Sequence, residues 1–332
     1  MQNDGHSVSV SEPIFIHGMM ERSGTNFFMN LLGLHPACAP GGIIWEDHLL
    51  ANASLLMEYA KSVYQTYGKH DWKVKERLGT EDVLCKSLGD GLISFLFSQF
   101  SEGDTVKKHG VDFDLRTPQE IFSKRLVTKT PNVTNLQNFF KFFPRCPLLI
   151  LIRDGRAVTE SGAIGFKWHY EVAMQTWAGA ARTILEFDKS SKATDGRCLI
   201  VRYEDLCDHL EDELQRVFDF LGLDPSVYDF EKAGKLPVLG SSVFRGNSKG
   251  EVHWDPVNRT TEFKPQLRHA HWNRAKHERF NWLAGKYLTE LGYEKDQHAN
   301  GRYLWFMYNI FLDLLHNPRA LIRRLVFNRT DG

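Results

Sequence analysis

The sequence predicts an α/β fold with three layers, α/β/α, around a central parallel sheet, and with a P-loop-like strand, loop and helix near its start. Short apolar runs typical of buried strands alternate with helix-like patterns, so consecutive strands run parallel and helices cover both faces of the sheet. The first strand also leads through a glycine-containing turn directly into a helix-like segment. The predicted strands are IFIH (14–17), RLVTK (125–129), PLLILI (147–152) and CLIVRY (198–203).

Helical patterns fill the stretches between these strands. In the segment 208–221 the apolar residues fall on one stripe of a helix, and Gly222 closes that helix. The stretch 234–265 is rich in glycine and proline and carries no periodic pattern, and its basic and aromatic residues indicate an ordered binding loop. Further helices are predicted at 25–34, 48–66, 81–100, 133–143, 155–165, 170–188 and 273–290.

The bulk composition is that of an ordinary folded protein. We expect a disordered tail over 1–12, a single domain over 13–300 and a helical extension over 301–332. Lysine plus arginine and aspartate plus glutamate both number 41, so the formal net charge is zero. A balanced charge argues against a general nucleic-acid binder, because such proteins carry an excess of basic residues.

Cysteine usage and hydropathy indicate a cytoplasmic protein. The five cysteines are dispersed without a CxxC pair, which argues against a disulfide framework or a zinc site. The first dozen residues lack the basic and apolar parts of a secretory signal. The apolar stretch 303–315 is shorter than the roughly 20 residues that a bilayer requires, so we expect a packed helix or a dimer contact there. We therefore expect a monomer or homodimer, and peripheral membrane contact through 303–315 is the alternative.

The turn after the first strand, MMERSGTNFF, is a candidate anion site. A strand, a turn and a helix N-terminus bring several backbone N–H groups and the positive end of the helix dipole around one point. Arg22 adds a full charge, and the hydroxyls of Ser23 and Thr25 add donors. A Walker loop has the pattern GxxxxGK[ST], and its lysine is missing here because Gly24 precedes Thr25 directly. The alternative is a plain turn with a surface arginine.

Two further strand ends carry basic residues toward the same edge of the predicted sheet. Arg153 ends the run LLILI, and Ser161 follows eight residues later, so the two side chains can grip a second anion. Lys129 ends another strand just before Thr130 and Pro131. For the stretch around Arg153, the alternatives are a helix that begins at an Asp154 cap beside exposed arginines, and a kinase-like metal site at Asp154. For Lys129, the alternative is an exposed lysine at a strand end.

The joint pattern of RSGT, KTP, RDGRAxxxS and RYEDL resembles the sulfotransferases that use 3′-phosphoadenosine 5′-phosphosulfate (PAPS). The resemblance covers roughly residues 13 to 293, including EFKPQLRHAHW in the later part. RDGRA and KTP most resemble the protein-tyrosine sulfotransferase branch, whereas FRG at 244–246 is a reduced form of the RKG of the cytosolic branch. On this resemblance, residues 13–300 form one sulfotransferase domain.

The resemblance also implies cofactor-binding roles. It implies that the 5′-phosphosulfate is held by Arg22, Ser23, Gly24, Thr25 and Asn26, and that Phe27 stacks on adenine. It implies further that the 3′-phosphate is held by Arg153 and Ser161, that Tyr203 lies near the adenine edge, and that Arg245 and Gly246 close over the 3′-phosphate.

Catalysis in such a site should rest on positioning and fixed positive charge, by analogy with phosphoryl transfer and without a metal. Arg22 and Lys129 then stabilise charge from two sides, with Lys129 neutralising the bridging oxygen. Pro131 stands where the cytosolic branch has its histidine base, and Glu46 stands closest to the glutamate base of the tyrosine-sulfating branch. Asp47 and His48 are neighbouring candidates for the base. The alternative without a catalytic role is that these acidic residues form the exposed start of a helix. We expect structural roles for His17, His169 and His253.

The expected function is PAPS-dependent sulfation of a hydroxyl or amine on a small-molecule acceptor such as a natural product or carbohydrate. A protein acceptor is not expected, because the tyrosine-sulfating branch works in a secretory compartment and the sequence shows no signal for one. Two alternatives stay open: a P-loop kinase of small molecules that uses Mg-ATP, and a nucleotide-binding protein without catalysis.

Overall fold

The computed structural model describes residues 12–44, 46–70, 72–100, 107–108, 111–112, 118–191, 196–238, 264–296 and 301–316. Seven strands lie within these ranges, five of them in one parallel sheet in the order β2-β5-β1-β6-β7 and two in a small antiparallel pair. The strands are β1 (Ile14–Gly18), β2 (Cys38–Pro40), β3 (Lys107–Lys108), β4 (Val111–Asp112), β5 (Arg125–Thr130), β6 (Leu148–Ile152) and β7 (Cys198–Arg202).

The four predicted strands are confirmed as β1, β5, β6 and β7, and all of them run parallel. The sequence analysis missed β2, which has only three residues and ends in a proline, so no alternating pattern can develop. β2 pairs with β5 at the edge of the sheet, where a proline is tolerated because its missing N–H faces no partner strand.

Every residue of β1 and β6 is buried. Successive side chains of a strand point to opposite faces of the sheet, so continuous burial means that both faces are covered. The predicted three-layer α/β/α arrangement is therefore confirmed.

Thirteen α-helices lie within the described residues. Most of the predicted stretches match one of them to within a few residues, whereas the short helices Trp72–Leu78, Pro118–Phe122 and Phe230–Gly234 were not predicted. Short 3₁₀ turns occur at Leu136–Asn138, Pro225–Val227 and Pro265–Leu267. The helices are α1 (Thr25–Gly33), α2 (Ala53–His70), α3 (Trp72–Leu78), α4 (Asp82–Phe97), α5 (Pro118–Phe122), α6 (Phe139–Phe142), α7 (Gly155–Phe166), α8 (Tyr170–Ser191), α9 (Tyr203–Asp208), α10 (Leu210–Leu221), α11 (Phe230–Gly234), α12 (Arg274–Glu290) and α13 (Arg302–His316).

Two predicted helices differ from the observed ones. The stretch 133–143 forms a 3₁₀ turn and the single-turn α6, because Asn135 takes a left-handed backbone angle (φ 59°) that an α-helix cannot include. In the stretch 208–221, Asp208 is the last residue of α9, and His209 separates α9 from α10. Gly222 ends α10 in the left-handed conformation, as expected.

The strand order places a topological switch beside β1. From β1 the chain winds to β2 and β5 on one side, and then crosses to β6 and β7 on the other side. In an open α/β sheet, a crevice for ligands opens at the carboxyl ends of the strands where the winding direction reverses. The turn after β1 and the ends of β5 and β6 are therefore the parts of the fold that surround this crevice.

Some expectations lie outside the described residues: the tail 1–11, most of the loop 234–265 with Arg245, Gly246 and His253, and the end of the chain after 316. The division into a tail, a domain and an extension stays a prediction.

All five cysteines are described, and no disulfide joins them. Within the part of the chain that the structure covers, no helix has the length and apolarity to cross a bilayer.

Candidate active site

The turn between β1 and α1 is tightly wound. Arg22 and Gly24 both have left-handed backbone angles (φ 71° and 99°), and a Cβ on Gly24 would lie 2.3 Å from the ring of Tyr203. Only glycine fits there, and its fit holds the N-terminus of α1 against Tyr203. The Ser23 hydroxyl donates to the Met20 carbonyl (2.6 Å) and accepts from the Met20 N–H (3.2 Å). The Ser23 side chain thus closes the turn from inside and does not line the cleft described below.

Three arginines meet beside this turn. Arg153, only 5% exposed at the end of β6, donates through Nη1 to the Arg22 carbonyl (2.8 Å) and through Nη2 to the Pro265 carbonyl (2.9 Å). The buried Ser161 hydroxyl accepts from Arg22 Nε (3.0 Å) and from Arg268 Nη1 (3.3 Å). The predicted proximity of Arg153 and Ser161 to the opening loop is therefore present, with Arg268 added. We call Arg22, Arg153 and Arg268 the arginine cluster.

The electrostatics of the arginine cluster favour an anion. Burial lowers the pKa of Arg22, and the charge of Arg153 lowers it further. Burial also lowers the pKa of Arg268, with Arg153 and Arg22 adding to the effect. Like charges held together in a poorly solvated place destabilise the charged forms, and a bound anion relieves that cost. Arg153 Nε is in addition buried without a hydrogen-bond partner, which leaves one donor for a ligand.

The cluster lines an open cleft whose empty volume, the adjoining solvent space included, is about 680 Å³. Asn26 also borders it, and its buried Oδ1 has no hydrogen-bond partner. Phe27 is largely buried, with its ring edge-on to Tyr203 at 6.3 Å, so only part of it faces the cleft. The lining comprises Glu21, Arg22, Gly24, Thr25, Asn26, Phe27, Glu46, Pro131, Arg153, Phe166, Tyr203, Val238 and Arg268.

A lysine–glutamate pair lies at the same strand edge. Lys129 at the end of β5 is 1% exposed, and its Nζ lies 2.9 Å from Glu46 Oε1. The other Glu46 oxygen lies 3.2 Å from His48 Nε2. Burial lowers the pKa of Lys129, and the Glu46 carboxylate partly reverses that shift. Lys129 is thus a buried, charge-paired group rather than an exposed strand-end lysine. Its partner Glu46 lines the cleft, whereas Lys129 lies behind it and is not part of the lining.

Asp47 fixes the position of Glu46. Its two carboxylate oxygens accept from Thr130 and Thr128 (both 2.8 Å), and its N–H donates to the Lys129 carbonyl (3.1 Å). These bonds fasten the segment 46–48 along β5, so Asp47 has a positioning role and Glu46 is left to face the cleft. His48 is half exposed beside it.

The two described histidines that we expected to be structural, His17 and His169, are not part of the cleft lining. His17 is buried, its Nδ1 lies 3.0 Å from the Asn132 carbonyl, and burial lowers its pKa. His169 is exposed and lies beside His316.

The acidic residues of the RDGRA and RYEDL motifs are structural. Asp154 caps α7 by accepting from the Arg156 N–H (2.8 Å), and its second oxygen binds the Arg156 guanidinium (2.6 Å). Glu204 accepts from the Asp154 N–H (3.0 Å) and from the Tyr293 hydroxyl (2.8 Å). Among the residues described, no group of three or more His, Cys, Asp or Glu is arranged to hold a metal ion.

Sequence reasoning did not single out four residues that line the cleft: Glu21, Phe166, Val238 and Arg268. Arg268 follows the 3₁₀ turn Pro265–Leu267 within EFKPQLRHAHW, and neither a strand end nor a periodic pattern singles it out. The Phe166 ring lies under the Arg22 guanidinium, 5.2 Å from its centroid, at the last position of α7. The only available signal was the family resemblance of the surrounding stretch.

The sequence of this chain is similar to those of known sulfotransferases. Residues 13–227 match the sequence model of the Sulfotransferase family. The chain is 26% identical over 258 residues to protein-tyrosine sulfotransferase A of Caenorhabditis elegans, covering 74% of this chain and 60% of that protein. It is 24% identical over 233 residues to protein-tyrosine sulfotransferase 1 of Danio rerio, covering 67% of this chain and 58% of that protein. The chain thus spans about 60% of the length of these relatives.

Among solved structures, a sulfotransferase domain from the curacin biosynthetic pathway is 16% identical, with a TM-score of 0.45, and the match covers 87% of this chain and 100% of that one.

Proposed function

Because this chain belongs to the sulfotransferase family, we propose that it transfers the sulfuryl group of PAPS to a hydroxyl or amine of a small-molecule acceptor. One observation carries the proposal: Arg22 and Arg268 both donate to Ser161 beside Arg153 at the switch point of the sheet, and Glu46, paired with Lys129, lines the same cleft. The residues that we assign to anion binding and to proton transfer, the arginine cluster and Glu46, thus line one cleft.

The residues present suit PAPS as a ligand. Its 3′-phosphate and 5′-phosphosulfate are anions, and the cluster holds three repelling cations and an unsatisfied Arg153 donor. We assign the 3′-phosphate to Arg153, Ser161 and Arg268, and the 5′ end to Arg22 and the turn up to Asn26. We assign the adenine to Tyr203 and Phe27, both of which line the cleft. When bound, PAPS supplies an electrophilic sulfuryl group on a phosphate leaving group.

We assign charge stabilisation to Lys129 and proton acceptance to Glu46. Lys129 supplies a buried positive charge, which stabilises growing negative charge strongly because water is excluded around it. Glu46 is paired with Lys129, is one third exposed and lines the cleft, so we assign to it the proton of an acceptor hydroxyl. Arg22, which also lines the cleft, is assigned a second stabilising charge. No step assigned to these residues requires a metal.

The acceptor is proposed to be a small molecule such as a natural product or carbohydrate, although the relatives are named for protein tyrosine. A cytoplasmic location is proposed with it. The five cysteines without a disulfide support that location, because thiols persist in reducing compartments.

A small-molecule kinase that uses Mg-ATP is the rival function, and the structure disfavours it. The aspartate that a kinase-like site would use for magnesium, Asp154, is bonded on both oxygens to Arg156.

The experiment is transfer from ³⁵S-labelled PAPS to a panel of hydroxyl and amine acceptors in the presence of EDTA. We expect labelled product with at least one small-molecule acceptor, and no product with Arg153→Ala. Labelled tyrosine peptide without any labelled small molecule would refute the acceptor class. Phosphoryl transfer from Mg-ATP to the same panel, without sulfuryl transfer, would refute the function.

A further inference from the structure

Glu160 is a buried carboxylate next to the assigned nucleotide site. It lies in α7 directly before Ser161, is 2% exposed and is not part of the cleft lining. A buried charge is costly unless it is paired and hydrogen-bonded, and an apolar side chain at the same place would avoid that cost of desolvation. Folding alone therefore does not explain a glutamate at this position.

Three donors from two other parts of the chain meet the Glu160 carboxylate. The Trp272 indole Nε1 and the Tyr170 hydroxyl both donate to Oε2, at 2.6 Å and 2.8 Å. His271 Nε2 lies 3.0 Å from Oε1. Tyr170 begins α8, whereas His271 and Trp272 belong to the segment 264–273, which leads into α12. The carboxylate thus ties that segment to α7.

The segment 264–273, which we call the arm, brings Arg268 into the arginine cluster. Apart from one 3₁₀ turn, the arm has no regular secondary structure, so contacts with other elements must fix its position. Two such contacts lie in the cluster itself: the Pro265 carbonyl accepts from Arg153, and Arg268 donates to Ser161. Both use groups that we assign to the 3′-phosphate.

The bond from Trp272 to Glu160 is a point of attachment outside those groups. Glu160 and Ser161 are consecutive in α7, and they hold Trp272 and Arg268, which are four residues apart in the arm. Trp272 is 6% exposed, so its bond to the carboxylate is shielded from water. Attachment at two points prevents the arm from pivoting about the Ser161 hydroxyl alone.

The charge of Glu160 acts on Arg268 as well. Burial lowers the pKa of Arg268 most, the other two arginines of the cluster lower it further, and the Glu160 carboxylate raises it. Glu160 thereby favours the charged guanidinium, which is the form that binds a phosphate. The bond to the arm and the charge favour the same state, in which Arg268 is charged and lies on Ser161.

We propose that Glu160 is a positioning residue for recognition of the 3′-phosphate, because it holds the arm on α7 and so keeps Arg268 on Ser161 before the ligand binds. This inference rests on the proposed function, in which Arg268 binds the 3′-phosphate of PAPS. A preorganised site binds more tightly, because less conformational freedom is lost on binding. Loss of Glu160 should therefore weaken ligands that carry a 3′-phosphate and spare those that lack it.

The test is calorimetric titration of the full chain and of Glu160→Gln with 3′-phosphoadenosine 5′-phosphate (PAP) and with adenosine 5′-monophosphate, which lacks the 3′-phosphate. Glutamine keeps the size of the side chain and one acceptor oxygen, and removes the charge. We expect the affinity for PAP to fall about tenfold or more, the value of one charge-assisted hydrogen bond, and the affinity for adenosine 5′-monophosphate to change less than about threefold. The KM for PAPS should rise in parallel, with little change in kcat.

A second readout needs no nucleotide. The indole and backbone N–H groups of Trp272 are both hydrogen-bonded, to Glu160 and within the arm, and their hydrogen exchange reports the attachment. We expect exchange about tenfold faster or more in Glu160→Gln. Trp272→Phe removes the donor of the arm and keeps an aromatic ring. It should show the same selective loss of PAP affinity, and it tests the proposal independently of the folding of Glu160→Gln.

Tyr170→Phe is the matched control, because it removes a hydrogen bond to the same carboxylate oxygen from α8 and leaves the bond of the arm in place. It should keep the PAP affinity and the Trp272 exchange of the parent protein. Unchanged PAP affinity in Glu160→Gln and Trp272→Phe, or an equal loss of affinity for both nucleotides, would overturn the proposal. A parent protein that does not bind PAP would instead refute the proposed function, whatever the exchange of Trp272.

Discussion

At the scale of single residues, the charge of Arg268 destabilises the unliganded protein and favours the binding of an anion. Its charge is held next to Arg22 and Arg153, and burial and those two charges lower its pKa. Such a cluster costs free energy until an anion arrives. The residue therefore serves binding rather than folding, and the two effects can be separated by substitution.

We expect Arg268→Gln to weaken the binding of 3′-phosphoadenosine 5′-phosphate (PAP) by about ten- to a hundredfold, the value of one charge-assisted hydrogen bond. The free energy of unfolding without ligand should stay equal or rise, because a repulsive charge is removed. Calorimetry and denaturant titration measure the two quantities. Arg182→Gln, at an exposed arginine of α8 paired with Glu186, is the control with the same loss of charge. A large loss of unliganded stability with unchanged PAP affinity would show that Arg268 is structural.

Glu46 and Lys129 form the second residue-level prediction. We expect Glu46→Gln to lower kcat by about 10²–10⁴-fold, the usual contribution of a general base, while PAP affinity changes little. Glu58→Gln, on an exposed part of α2, should leave both unchanged. Unchanged turnover in Glu46→Gln would remove the base assignment.

The same substitution has a pH signature. Burial lowers the pKa of Lys129 and Glu46 raises it again, so Glu46→Gln should lower it further. The lysine charge is present below its pKa and is lost as pH rises through it. The alkaline decline of the residual activity should therefore begin at a lower pH in Glu46→Gln than in the parent protein. A pH–rate profile measures this, and an unmoved decline would mean that Lys129 does not supply the charge.

At the scale of elements, the turn from β1 to α1 determines the site. Gly24 combines a left-handed backbone angle with direct contact to Tyr203, so Gly24→Ala must move the turn or the ring. We expect a loss of about 1–3 kcal/mol in the free energy of unfolding and at least a tenfold loss of PAP affinity. Gly91→Ala is the control, because a Cβ there meets only open space in α4 and alanine favours a helix. Equal behaviour of the two variants would contradict the role of the turn.

The sequence predicted the elements that determine the fold, for physical reasons that can be stated. The four main strands are continuous apolar runs, and buried parallel strands produce that pattern directly. β2 was missed because three residues carry no period. The joint motifs located Arg153, Ser161, Lys129 and Glu46 in one cleft or at its edge. Arg268 was missed because only the folded chain brings its loop to Ser161.

Helix α13 was predicted in place, but its orientation was not. Hydrophobic periodicity predicts which residues share a face, and only the tertiary partners decide which face turns inward. Here the buried Arg279 selects the face with Asp313 and Asn309. A local pattern cannot contain that information, because Arg279 and Asp313 lie on different helices.

At the scale of the whole molecule, the contact between α13 and the domain should depend on acid. Burial raises the pKa of Glu171, but the hydrogen bond and charge of Arg279 lower it more, and the result lies below the usual value of 4.5. A carboxyl whose pKa is lower in the folded state contributes stability above its unfolded pKa and loses it as pH falls through the folded pKa. We expect amide exchange in α13, corrected for intrinsic rates, to be constant between pH 6 and 8 and to rise below about pH 4.5.

Glu171→Gln provides the comparison for this prediction. The variant should show faster exchange in α13 at neutral pH and a smaller change on acidification, because the titrating partner of Arg279 is gone. Identical pH dependence in the two proteins would show that Glu171 does not hold the helix.

The central claim is that the arginine cluster is the nucleotide site of a PAPS-dependent sulfotransferase, and calorimetric titration with PAP in EDTA tests it most directly. We expect one PAP per chain, no requirement for magnesium, and at least a tenfold weaker Kd in Arg153→Ala, which removes a charge-assisted contact to the 3′-phosphate. Binding of Mg-ATP without binding of PAP, or a PAP affinity that Arg153→Ala leaves unchanged, would contradict the claim.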